Sequence, residues 1–126
     1  MIKNNSKKTT LLKIIFILSV IFASFLFLKQ SGHSALSFQH ADKIAHFLIF
    51  FSLTLLLDLS FKLSVTKSLL ILSTYGVTIE VLQSFLPYRS ASLGDILADI
   101  FGVAVYIFVC RKFFRKYLES ITTEPS

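Results

Sequence analysis

Charge is scarce in this chain. Charged residues make up 16% of it, against about 25% in an average soluble domain. Hydrophobic residues supply 54%, and the mean hydropathy is +0.73. A single domain of 126 residues could not hide that much apolar surface from water. A soluble globular fold is therefore excluded, and an integral membrane protein is expected. Cysteine is nearly absent as well. Cys110 stands alone, so no intrachain disulfide can form, and it reads as a small buried hydrophobe. No segment alternates in the manner of a strand, and no repeat or low-complexity block is present. The dense metal-binding pattern H-E-x-x-H is missing too. The fold class left standing is an all-α membrane protein.

What the chain does have is four apolar runs, each near the 20 or so residues that cross a bilayer. They cover 11–28, 44–61, 68–86 and 93–110, in one membrane domain. The first follows a basic head with Lys3, Lys7 and Lys8. That arrangement is shared by signal peptides, and residues 31–35 offer small side chains. The run is longer than a signal core of about 7–15 residues, so an uncleaved first helix is the expectation. Lys and Arg set the orientation. Only Lys29, Lys43 and Arg89 of the 13 basic residues fall on one side of these spans. The others flank the opposite side, which the positive-inside rule places in the cytoplasm with both termini.

Carboxylates inside such runs are unfavourable, by about 2.5–3.5 kcal/mol each at a helix centre. The stretch from Tyr75 to Tyr106 holds Glu80 and Gln83 before a break at Leu86-Pro87, and Asp95 and Asp99 after it. Asp42 and His46 open the second span. Alternating span directions bring Asp42, His46, Glu80, Gln83, Asp95 and Asp99 to one outer layer, with Lys43 and Arg89 as the nearby cations. Glu80 lies roughly 10 Å deep, counted at 1.5 Å per residue from Pro87. Gly76, Glu80 and Gln83 share a helix face, and Asp95 stacks on Asp99. Gly94, Ala98 and Gly102 form a small-residue stripe that lets helices approach closely. The expectation is a polar pocket opening outward.

Each residue also has a plainer reading. Asp42 fits a helix N-cap. Ser92-Leu93-Gly94-Asp95 has the form of a capping box. Glu80 could be a structural partner of Gln83 or Arg89, His46 a satisfied interfacial histidine, and Arg89 a headgroup anchor. Asp58 reads as an interfacial charge beside Lys62. The phenylalanines read as lipid-facing or packing residues.

The ordered set Asp42-Lys43-Ile44-Ala45-His46, Glu80-Val81-Leu82-Gln83, Arg89, Asp95, Asp99 and Gly102 resembles the VanZ-like family of small bacterial membrane proteins. The likeness covers about residues 42–106. It departs at Asp99, where the family more often has Asn, which adds a possible negative charge here. The resemblance implies a multi-pass protein of the bacterial cytoplasmic (inner) membrane and cell envelope. Its founding member is associated with low-level resistance to the glycopeptide teicoplanin, a phenotype class rather than a reaction.

Three functions fit the residues. The first is a binding protein whose pocket takes a lipid or cell-wall-precursor headgroup. Lys43 and Arg89 would meet phosphate, and the carboxylates and Gln83 would meet sugar or amine groups. The second is a membrane-embedded enzyme on a lipid-linked substrate, with His46 and an aspartate as acid and base or with a divalent metal. The third is a proton-coupled carrier built as a homo-oligomer, using Glu80 and Asp99. Membrane lipids are the expected partners, and nucleic acid is not. No catalytic residue, cofactor or dedicated metal set is assigned from sequence.

Overall fold

The computed structural model describes residues 2–29, 41–87 and 93–122, without the side chains of 2–6, 41, 42, 118, 121 and 122. All regular structure among them is helical. Helix α1 spans Ile2–Leu28, α2 Ala41–Phe61, α3 Val65–Ser84 and α4 Leu93–Val105. A π-helical turn at Tyr106–Cys110 joins α4 to α5, Arg111–Thr122. Four stretches are long and apolar enough to cross a membrane: Lys7–Leu28, Lys43–Phe61, Val65–Ser84 and Leu93–Tyr117. The chain thus has the expected four-span, all-α architecture. The helices run past several expected limits. The first begins well before residue 11, and the last continues through the basic stretch to Thr122, because no Gly or Pro interrupts it.

The turn between α2 and α3 is tighter than the expected 62–67. Lys62 adopts φ 50°, the left-handed conformation common just past a helix end, and its N–H donates to Asp58 O at 2.8 Å. Ser64 then caps α3, its hydroxyl accepting from Lys67 N–H at 3.3 Å.

Cross-helix contacts give the arrangement. Lys43 meets Asp95, His46 meets Asp99, and Asp58 meets Arg115. Numbers rise together, so α2 and α4 run parallel. Ser24 meets Tyr75 and Phe27 meets Gln83, so α1 and α3 are parallel too. The closest-packed pair is α2 with α4, then α1 with α2 and α3 with α4. The order around the bundle is therefore α1, α2, α4, α3. Ala23, Phe27, Phe50, Leu53, Leu57, Leu72, Ile79, Val103, Tyr106 and Ile107 form the apolar core. The other wall of most helices is exposed and apolar, as with Phe22, Phe25, Leu70 and Phe101, which is what lipid-facing surface requires.

Asp58 corrects the sequence reading. It is buried, not interfacial. Tyr106 Oη donates to Asp58 Oδ2 at 2.7 Å, and Arg115 Nη2 and Nε donate to Oδ1 at 2.7 and 3.0 Å. Arg111 Nε lies 3.4 Å from Oδ1. The π turn makes this possible. Arg111 N–H bonds to Tyr106 O, five residues back, which brings Tyr106, Arg111 and Arg115 onto one face. Regular α-helical spacing would rotate Arg111 away from Tyr106.

Gly102 sets the α2–α4 distance. A Cβ there would lie 2.5 Å from Phe47 O and 3.1 Å from Phe51 N, so the backbones themselves are in contact. Backbone cannot swing aside as a side-chain tip can. Gly102→Ala should therefore destabilise the bundle by about 1–3 kcal/mol, read as a lowered unfolding temperature in detergent. An unchanged temperature would mean that α2 and α4 are further apart than described.

Candidate functional site

The end of the bundle where α1 and α3 finish and α2 and α4 begin carries a buried polar cluster. His46 is one turn into α2 because Phe50, Leu53 and Leu57 continue its buried face. On α3, Ser68, Leu72, Gly76, Ile79, Glu80 and Gln83 are buried, so the expected Gly76–Glu80–Gln83 face does point inward. On α4, Asp95, Asp99, Gly102 and Val103 are buried. Gly94 and Ala98 are only half-buried, so the close approach along the small-residue stripe is concentrated at Gly102.

These faces meet. His46 Nδ1 lies 2.7 Å from Asp99 Oδ1, and both residues are no more than 1% exposed. His46 Nε2 is 3.8 Å from Asp95 Oδ2. Lys43 Nζ, on a half-exposed side chain, is 3.5 Å from Asp95 Oδ1. Glu80 completes the group. A potential ligand atom from each of His46, Glu80 and Asp95 lies within 4.8 Å of the other two. With Nδ1 bonded to Asp99, Nε2 is the imidazole nitrogen turned toward Asp95. Gly76 leaves room for this arrangement, since a Cβ there would come within 2.9 Å of Asp99 Oδ2.

The plainer readings fare unevenly. Asp95 reaches across to α2, so its position in the first turn of α4 is not its whole role. His46 faces the bundle interior rather than the interface. Gln83 bonds elsewhere than to Glu80: its Nε2 donates to Phe27 O at 2.8 Å. That carbonyl belongs to the last turn of α1, where carbonyls lack partners within the helix. Asp42 lies in the first turn of α2 and its side chain is outside the described residues, as is the whole of Arg89.

Phe27 is the participant that sequence reasoning missed. Its ring lies 4.5 Å from the His46 imidazole at an interplanar angle of 30°. It walls the histidine on the α1 side. Among 14 phenylalanines nothing local distinguishes it; only the pairing of α1 with α2 and α3 does.

The cluster can hold His46 in a fixed orientation, accept protons at three carboxylates, and ligate a cation through nitrogen and oxygen. The contact between Asp99 and His46 needs an acceptor oxygen more than a charge. Asp99→Asn should therefore keep stability within about 1 kcal/mol of wild type. Asp99→Leu, which removes the acceptor at Nδ1 of a buried histidine, should cost about 3 kcal/mol or more. Thermal unfolding in one detergent, with circular dichroism as the readout, separates the two. Equal losses would argue that Asp99 acts through its charge.

Comparison with known proteins agrees with the residue pattern. The chain is 34% identical over 85 residues to an uncharacterised protein of the fission yeast Schizosaccharomyces pombe, a match covering 64% of this chain and 52% of that one. The chain thus spans about half the length of this curated relative. No solved structure matches this chain. The VanZ/LLP1 family pattern matches from residue 2 to residue 115, which takes in all four spans and every described residue of the cluster. On that match the chain belongs to the VanZ/LLP1 family.

Proposed function

We propose that the polar cluster binds the headgroup of a lipid, or of a lipid-linked cell-wall precursor, at one face of the membrane. One observation carries this reading: His46, Glu80, Asp95 and Asp99, from three helices, meet at one level while buried, with Lys43 at their edge. The His46–Asp99 contact serves to join α2 to α4, but packing does not call for Glu80 and Asp95 beside it, since apolar side chains of similar size would fill the same space without desolvating charge. A polar ligand drawn partly out of water does call for them. Lys43 supplies a cation for phosphate, the carboxylates accept from hydroxyl or amine groups, and Asp99 fixes the orientation of His46.

Arg89 enters the proposal as a second cation. So does the orientation, with termini cytoplasmic and the cluster facing outward, which rests on the distribution of Lys and Arg. The family resemblance supports placement in the bacterial cytoplasmic membrane and makes teicoplanin sensitivity the phenotype to measure. Similarity to a fission-yeast protein favours a ligand class not confined to bacterial walls, such as a phosphate-bearing lipid headgroup.

A second reading has its own observation. The spacing of His46, Glu80 and Asp95 is close to that of ligands around one ion. Asp99 stands behind the imidazole as carboxylates stand behind metal-bound histidines. The nitrogen and oxygen donors suit a divalent cation. On this reading the protein is a membrane-embedded enzyme acting on a lipid-linked substrate. The proton-coupled carrier gains no observation of its own.

Native mass spectrometry of gently purified wild type and Glu80→Gln, with metal analysis of the same samples, tests both readings. A retained lipid or precursor mass should fall by about tenfold in Glu80→Gln, the loss of one charge-assisted hydrogen bond. About one equivalent of divalent metal, lost in the same variant, would favour the enzyme. If neither protein retains a ligand or metal while both stay folded, the cluster is structural and both readings fail.

A further inference from the structure

The opposite end of the bundle carries a separate surface. From Leu93 to Cys110 the helix rises about 27 Å at 1.5 Å per residue, close to the roughly 30 Å of a bilayer's hydrocarbon core. Arg111, Lys112, Arg115 and Lys116 follow at once, at headgroup level. Just inside them Phe108 and Val109 are 70% and 73% exposed. A hollow of about 330 Å³ joins the two regions, lined by Ile107, Phe108, Val109, Arg111, Lys112 and Arg115. A second hollow beside it shares Lys112 and Arg115. One wall is apolar and continuous with the lipid-facing surface, and the other is cationic.

Two of these cations are oriented in advance. Arg111 Nη2 donates to Leu63 O at 2.6 Å, and Asp58 engages both guanidiniums. Asp58, and Glu119 in the adjoining hollow, offset only part of the charge of Arg111, Lys112, Arg115 and Lys116, so the surface stays positive. Guanidiniums already held in place lose less freedom on meeting a phosphate.

We infer that this hollow binds an anionic phospholipid, with the phosphate among Lys112, Arg111 and Arg115 and an acyl chain along Phe108 and Val109. Basic groups flanking a span attract anionic headgroups by charge, and the apolar wall adds a fixed seat for the chain. The site is independent of the His46 cluster at the other end.

The test is competition between phosphatidylglycerol and phosphatidylcholine at equal amounts in mixed micelles, read by native mass spectrometry. Wild type should retain phosphatidylglycerol preferentially. Lys112→Gln should reduce that preference about fivefold, the effect of one cation near an anionic headgroup. Lys112→Arg should keep it. Lys112 is exposed, so unfolding temperatures in neutral detergent should match across the Lys112 variants. Equal retention of the two lipids by wild type, or a preference that Lys112→Gln leaves intact, overturns the inference.

Discussion

The contact between Asp99 and His46 is the constraint on which the rest of the bundle depends. Inside a bilayer, apolar side chains gain little by leaving lipid for protein, so helix association rests on close packing and on hydrogen bonds between helices. A buried carboxylate on α4 and a buried imidazole on α2 are each costly alone and compatible at 2.7 Å. Their match fixes the register of two parallel helices that share no connection in sequence. Gly102 against the Phe47 carbonyl brings those helices to backbone contact. Asp58 ties α2 to the π turn and α5 at the far end, through Tyr106, Arg111 and Arg115. Thus α2 is held at three levels to α4 and its continuation into α5, and α1 and α3 pack around that pair.

The two ends differ in chemistry. The end with His46 gathers three carboxylates, an imidazole and a lysine under the wall of Phe27. The end with Asp58 gathers guanidiniums around a single carboxylate and leaves exposed lysines beside apolar surface. The first is suited to holding a polar group or a cation withdrawn from water, the second to meeting anionic headgroups at the surface. On the proposed readings, one end meets anionic headgroups and the other offers the cluster to a ligand.

Much of this was legible in the residues. Four spans followed from apolar length. The convergence of His46, Glu80, Asp95 and Asp99 followed from the depth of each polar residue in alternating spans, together with helical periodicity. The neighbour order was not legible, because alternating spans can be arranged around a bundle in several ways, and only contacts such as Ser24 with Tyr75 choose one. Phe27 could not be singled out for the same reason. Asp58 reads as interfacial because Lys62 is near in sequence, whereas its partners come from the π turn and α5. The i, i+5 relation between Tyr106 and Arg111 arises from a π turn, which α-helical periodicity does not anticipate.

A double-mutant cycle on His46 and Asp99 tests the account most directly. His46→Leu, Asp99→Leu and the double variant would be compared by unfolding free energy in one detergent. A coupling of about 1.5 kcal/mol or more is expected, with the double variant more stable than the sum of the single losses implies. Additivity within about 0.5 kcal/mol would mean that the two side chains do not pair, and the register of α2 on α4, with the cluster built on it, would have to be abandoned.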